Sequence, residues 1–503
     1  MVEWPPARSL RYAGCAGVVT DVLFDQRFRK GLFQPVDASS LVVFRIGFGL
    51  VMLWEVIRYW RHDWIREYYI EPVFQFKYYG FAWVQPWPGD WMYAHFAVLG
   101  ICAFFIALGL FYRISTILFL LGFSYVFLLE QANYLNHLYL VIVCAALLCV
   151  LPANRYFSLD AKLRPYIAAD TVPAWSVWIL RAQFEIVLLY AGIVKLNGDW
   201  LQLEPLSMWL AKRADFPVLG PLFMQDWSVA VAAYGVILLH LLGAPLLLYR
   251  RTRLYVFFAY AAFHTLNHFV FSIGIFPWFT LLGSLMFFDP DWPKQLKSRV
   301  LGWLGRSESS AMLSVPEKTT TPVSLPPPVQ QRAVIGFAMV WLGVQILLPL
   351  RHVLYPGNVS WTEEGHKYAW QMKLRDKKGE TRFFVTDPAT GRQWEADPLD
   401  YLSPRQARKM QVRPDMILQF AHLLAQRWEQ RWKIPGVEVR VDSWVSLNGR
   451  ERAQMIDPNV DLAKRQMSLL PADWILPLRI PLNRRPENYR ARYRDLVQAE
   501  TNE

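Results

Sequence analysis

Nine apolar stretches recur along this chain, each near the length of about 20 residues that carries a helix across a bilayer. They lie at about 41–57, 91–111, 114–130, 135–151, 174–194, 228–249, 253–266, 268–288 and 333–350. Such a pattern predicts a multi-pass α-helical membrane protein with about nine spans. The seventh and eighth stretches run together through FHTLNHFVFSIG, so a very tight turn is expected between them. Composition agrees. Charged residues are only 19%, below the quarter or so usual in soluble domains, and there are 23 Trp and 32 Phe, residues that suit membrane interfaces. The net charge of +12 then points to loops facing anionic membrane lipids rather than to nucleic acid. Disorder, collagen and a disulfide scaffold are excluded. Four cysteines are too few for a framework, and Cys102, Cys144 and Cys149 lie in apolar runs where buried free thiols are expected.

Lysine and arginine counts in the short loops set an orientation. The N-terminal segment 1–36 carries Arg8, Arg11, Arg27, Arg29 and Lys30, and it does not read as a signal peptide. Every second loop repeats the bias, with Arg113, then Arg155, Lys162 and Arg164, then Arg250, Arg251 and Arg253, then Lys294, Lys297, Arg299 and Arg306. The loop at 131–134 has none. These counts place the N-terminus in the cytoplasm. A transmembrane domain is expected over 37–350, with a cytoplasmic linker at about 289–332 whose 307–331 portion is rich in Ser, Thr and Pro. Nine spans put residues 351–485 on the other, extracytoplasmic side. That region alternates strand patterns (KYAWQMKLRD, TRFFVTDP, VEVRVDSWVSL) with a helical pattern at about 404–432, so it reads as an α+β domain. Residues 486–503 form a charged tail.

Ionisable groups within spans are costly and mark candidate sites. Lys195, in YAGIVKLNGDW, ends the fifth stretch. It is either a snorkelling anchor with its head in water or a desolvated lysine able to act as a base. Arg181 and Glu185, four residues apart on the same stretch, read as a structural ion pair. Asn136 and His137 open the fourth stretch, where Asn136 could serve as a helix cap. His264, Asn267 and His268 share FHTLNHF, and the two histidines fall on one face if the helix continues. No third ligand accompanies them and there is no HExxH, so no metal is expected. Arg213, beside Lys212 in SMWLAKR, would bind either a carboxylate or a lipid headgroup. Lys195, His137, Arg213 and the 264–268 group gather at one membrane face. That arrangement favours an enzyme acting on an amphiphile over a transporter or scaffold, whose polar residues would be spread through the membrane depth.

These segments resemble vitamin K-dependent gamma-glutamyl carboxylase and its bacterial relatives with the horizontally transferred transmembrane domain. The likeness runs in order through VVFRIGFGLVM, DWMYAHF, LGLFYRIS, YVFLLEQANYLNHLYL, YAGIVKLNGDW, SMWLAKR, FHTLNHFVFSIGIF, FFDPDWP, VDSWVSLNGR and MIDPNVDL, over about residues 37–480. The resemblance implies a peptidyl-glutamate 4-carboxylase type of carbon–carbon lyase. It would oxidise reduced vitamin K (phylloquinol or menaquinol) with O2 to the 2,3-epoxide. The strong base so made would deprotonate peptidyl glutamate for carboxylation by CO2 to gamma-carboxyglutamate. No metal is implied. By the same resemblance Lys195 is the base, and His137 with Asn136 is the catalytic histidine–asparagine pair. His264 and Arg213 match polar positions of the family's core, and Arg213, His264, Asn267, His366, Trp370 and Met372 are expected to bind substrate. Animal enzymes have a tyrosine where this chain has His366. The implied partners are a glutamate-containing protein or peptide, a lipid quinone and membrane lipids. The implied place is the bacterial inner or plasma membrane. A quinol epoxidase of the same family without glutamyl carboxylation is the near alternative.

Overall fold

The computed structural model describes residues 26–304 and 325–482. The sequence-predicted cytoplasmic segment up to residue 25, residues 305–324 of the linker and the tail 486–503 lie outside the described residues.

Each apolar stretch forms a helix. In order these are α1 (Ser39–Arg61), α2 (Trp91–Leu108), α3 (Tyr112–Leu129), α4 (Asn136–Val150), α5 (Trp175–Ile193), α6 (Asp226–Leu241), α7 (Arg253–Phe271), α8 (Phe276–Ser284) and α9 (Pro328–Leu350). Six of them, α1, α2, α3, α5, α7 and α9, are long and apolar enough to cross a membrane, whereas α4, α6 and α8 are shorter apolar helices. Two helix boundaries differ from the sequence expectation. The sixth stretch, expected to reach 249, stops as α6 at Leu241, ahead of Gly243 and Pro245. The seventh, expected to end at 266, continues to Phe271 and turns at Ser272, whose φ is +49°. His264 and His268 therefore share one continuous helix.

Aromatic rings fill the core between α1, α3, α5 and α8. Phe48 meets Phe119 edge-on at 5.6 Å, and Phe44 meets Phe184 at 5.9 Å. Gly49 lets α1 approach α2 closely, since a Cβ there would lie 2.5 Å from the Ala103 carbonyl oxygen. Arg45 is fully buried, and its guanidinium donates to the Ala153 and Phe157 carbonyls at 2.8 and 2.7 Å. A buried guanidinium paired only with carbonyls is a staple for a loop.

The helix ends sort into two faces. At one face Asp37 pairs with Lys294 at 2.6 Å, Arg253 with Asp289 at 3.2 Å, and Tyr112 N–H donates to Asp160 at 3.0 Å. A small antiparallel pair, β1 (Pro35–Asp37) with β2 (Thr171–Pro173), closes this face. At the other face the loops after α1, α3 and α5 meet the C-terminal region. Lys77 N–H donates to Gln419 at 2.7 Å, Arg405 to Asn133 at 3.0 Å and Gln406 to Glu130 at 2.7 Å.

The C-terminal region is α+β, as expected. β3 (Lys377–Thr386), β4 (Gln393–Ala396), β5 (Glu438–Leu447) and β6 (Ala453–Gln454) form an antiparallel sheet in the order β4-β3-β5-β6. β3 and β5 pair from Lys377↔Leu447 to Thr386↔Glu438. The predicted helix at 404–432 is split into α10 (Pro404–Met410) and α11 (Pro414–Trp432), because Pro414 disfavours helical backbone before it. Phe420 of α11 packs edge-on against Phe383 of the sheet at 4.7 Å. KYAWQMKLRD, expected as a strand, is irregular: Tyr368, Trp370 and Lys373 have φ of +63°, +53° and +54°. It is committed to the helices instead, with Trp370 buried against Tyr139 at 5.1 Å.

Candidate functional site

At the C-terminal-domain end of α5, α6, α7 and α8 the helices enclose a cavity of about 740 Å³, counting its mouth. The walls are mostly apolar and aromatic, among them Leu188, Phe263, Phe271 and Phe276. Few polar groups reach inside. They include Lys195, His240, His264, Asn267, Thr280 and Lys373.

Lys195 lies two residues past the end of α5, in the turn that leads to the short helix Gly198–Leu201. It is buried, with 5% of its surface exposed, so it does not snorkel. Its Nζ donates to the Ala191 carbonyl at 2.7 Å and stands 5.2 Å from the centre of the Trp200 ring. No carboxylate forms an ion pair with it among the described residues. Burial pushes the amine down to about 7, because a desolvated ammonium without a counter-charge is disfavoured. Such a lysine is half free base near neutral pH.

His264 and Asn267, one turn apart on α7, line the same cavity. The His264 ring stacks on Tyr260 with centroids 5.9 Å apart, and its Nε2 has no hydrogen-bond partner. His268 instead meets the Ile273 carbonyl at 3.3 Å, outside the lining. Among the described residues no group of three or more His, Cys, Asp or Glu is placed to hold a metal.

Asn136 and His137 stand behind the wall. The His137 ring is 6.0 Å from that of Phe276, which lines the cavity. Asn136 is the first residue of α4 and caps nothing. It accepts from the Tyr134 hydroxyl at 2.9 Å and donates to the Gln371 carbonyl at 3.2 Å, which steadies the segment carrying Met372. Met372 lines the cavity, whereas Trp370 is packed in the helical core with its Nε1 unpartnered.

Arg213 is exposed and does not line the cavity, although its charge acts on Lys373 at the mouth. His366 is also outside the lining. It is 5% exposed, and burial together with the neighbouring Arg413, Lys367 and Lys377 charges holds it well below the usual imidazole range. The expected Arg181–Glu185 ion pair does not form. Arg181 donates instead to the Met286 and Phe288 carbonyls at 2.6 and 2.7 Å, and Glu185 Oε2 has no hydrogen-bond partner. Carbonyls left open where α8 ends offer the guanidinium an alternative to a carboxylate four residues away. Cys102 and Cys144 are buried free thiols, and Cys149 is half-buried.

Sequence reasoning missed His240, Trp200, Trp209 and Lys373. Lys373 Nζ sits over the Trp209 and Phe271 rings at 4.9 and 4.8 Å. Its segment had been read as a strand, and nothing local places residue 373 beside residues 195–280.

A family model described as the HTTM domain matches residues 33–292, and one described as vitamin K-dependent gamma-carboxylase, lumenal domain, matches residues 330–480. No solved structure matches the chain. The first match takes in more than half of the chain and every helix around the cavity, and the second takes in the segment with Met372 and Lys373 that closes it. On these matches the chain belongs to the vitamin K-dependent gamma-carboxylase family.

Proposed function

We propose that this protein is a vitamin K-dependent gamma-glutamyl carboxylase in which Lys195 is the base that opens the reaction. The reading is carried by one observation: a buried lysine without a counter-carboxylate, facing a mostly apolar cavity. Reduced vitamin K would supply, on oxidation by O2 to the 2,3-epoxide, the strong base that frees a glutamyl γ-carbon for CO2. No side-chain base can take that γ-proton unaided, which is why the site must exclude water. The aromatic wall of Phe263, Phe271 and Phe276 would help to do so and would stack on a flat quinol ring. Lys195 would take the quinol proton, and His264 and Asn267 would orient the ring. His137 and Asn136 would act through the Phe276 wall and the Gln371 tether. Arg213, exposed near the mouth, would receive the glutamyl carboxylate, with His366, Trp370 and Met372 shaping the segment beneath it.

We further read nine spans, a cytoplasmic N-terminus and linker, and residues 351–485 outside the cytoplasm of a bacterium. The partners in this reading are a glutamate-containing protein or peptide and a lipid quinone.

The test is an assay of purified protein with reduced vitamin K, labelled CO2 and a glutamyl peptide, counting epoxide and fixed label separately. Label fixed in proportion to epoxide supports carboxylation. No epoxide at all overturns the proposal. Epoxide without label would instead make the protein a quinol epoxidase. That second reading draws on the positions of Arg213 and His366, neither of which lines the cavity.

A further inference from the structure

The turn that carries Lys195 is gripped by the C-terminal domain. β5 and β6 are joined through Asn448-Gly449, whose φ values of +53° and +81° suit a tight hairpin turn, closed by Arg450 N–H to the Leu447 carbonyl at 3.2 Å. This turn presents two side chains to Asp199. Arg450 donates in bidentate fashion, Nη2 to Oδ1 at 2.6 Å and Nη1 to Oδ2 at 2.7 Å. Asn448 Nδ2 adds a third bond to Oδ2 at 2.8 Å. The Arg450 and Asp199 side chains are only 7% and 10% exposed. Arg450 is anchored behind by Nε to the Ile480 carbonyl at 3.0 Å. Asn448 Oδ1 accepts from Asp376 N–H at 2.7 Å, and Asp376 in turn accepts from the cavity residue Trp209 at 2.9 Å.

Asp199 is next to Trp200, the ring over which Lys195 sits. Trp200 is otherwise held by its Nε1 to the Ala233 carbonyl on α6 at 3.1 Å and by its N–H to Asn197 Oδ1 at 3.0 Å. Asp199 thus touches the domain on one side and the lysine's aromatic cover on the other.

We propose that Arg450 and Asn448, through Asp199, are positioning residues that seat Trp200 against Lys195 and keep the lysine dry. A planar fork on a carboxylate fixes direction as well as distance, which a lysine at position 450 would not do. The inference rests on Lys195 being the base, but the first test below does not. The charged or titratable groups facing Lys195 are His240 from α6, His264 from α7 and Lys373 from the C-terminal segment, and none belongs to the clamp.

The pH dependence of Lys195 modification by a small amine-reactive reagent, read by mass spectrometry on the full-length protein in detergent, gives the lysine's titration midpoint directly. Arg450→Lys should raise that midpoint by at least one pH unit, because water reaches the ammonium once Trp200 loosens. Asp199→Asn should do the same, and the folded fraction, followed by thermal unfolding, controls for collapse. An unchanged midpoint in both folded variants overturns the clamp, whatever the protein's activity. The second test is kinetic. Arg450→Lys should lower epoxidation at least tenfold in the parent, yet cost nothing further in Lys195→Ala rescued by a small amine, since no lysine is left to position. A tenfold loss in the rescued protein as well would make Arg450 merely structural and overturn the proposal. Absence of epoxidation in the unmodified protein would sink the carboxylase reading, while the midpoint shift would still decide the clamp.

Discussion

A lysine that must give up its proton before it can work needs a place without water and without a carboxylate, and Lys195 has both. Its amine is pushed down to about 7 by burial, some three units below the ordinary value near 10.4. If Lys195 is the base of the proposed reaction, its free amine is the active form, and quinol oxidation should rise with pH through about 7 and level off above it. Lys195→Ala should keep membrane insertion and abolish epoxidation and carboxylation together. A small exogenous amine should restore part of both, a less basic amine doing so at lower pH. Near-normal epoxidation in Lys195→Ala, measured as epoxide formed per protein, would remove the base from the mechanism. Arg213 makes a contrasting case, being exposed and outside the cavity wall. If it receives the glutamyl carboxylate, Arg213→Lys should raise the peptide KM several-fold and leave peptide-independent epoxidation unchanged. Equal loss of both activities would make it structural.

Helices tolerate change according to what their neighbours allow. A side chain at Gly49 would run into the Ala103 carbonyl and the Ala107 backbone nitrogen, neither of which can rotate away. Gly49→Val should therefore cost about 1–3 kcal/mol by forcing α1 from α2. It should lower the thermal midpoint in detergent, whereas Gly302→Ala, with nothing within 4 Å, should leave it unchanged or raise it. The same contrast explains what could be read from the sequence. Apolar run length located all nine helices, because in lipid the backbone must satisfy itself. Ends were less legible: apolar run length alone gave no break before Gly243 and none at Pro414, where glycine and proline needed weight. Lys195, His264, Asn267 and Met372, each polar or distinctive within a segment resembling the family, are sequence candidates that the structure brings to the cavity lining. His240 carries no sequence signal, being a lone histidine in an apolar run. Lys373 and Trp200 were not legible, because their roles come from joining residues 195–280 to residues 372–373, a tertiary contact. KYAWQMKLRD failed as a strand for the same reason: Trp370 is committed to the helical core rather than to the sheet.

The whole molecule poses a counting problem that bears on which side of the membrane the cavity opens. Six helices meet the length needed to span, and α4, α6 and α8 fall short. α4, with 15 residues, would reach about 23 Å against a hydrocarbon core of about 30 Å. Length alone would leave these three as inserts. Their surroundings argue otherwise. Much of α4 is buried among neighbouring helices, with Leu140, Cys144 and Leu148 fully covered, so it need not match the lipid thickness by itself. The loops before and after α4 also reach opposite faces, as shown by Arg405 bonding to Asn133 on one side and Tyr112 bonding to Asp160 on the other. Arginine and lysine accumulate on the Asp160 face, at Arg155, Arg164, Arg250, Arg251 and Lys294. By the positive-inside rule that face is expected to be the cytoplasmic one. The two counts separate cleanly in a fusion experiment. Nine spans place the N-terminus and residue 330 on one side and residue 480 on the other. Six spans place five crossings before residue 330, so the N-terminus would share a side with residue 480 and not with 330. Reporters at the N-terminus, after residue 330 and after residue 480 should read cytoplasmic, cytoplasmic and extracytoplasmic. An N-terminal reporter agreeing with the one at 480 would reduce the count to six.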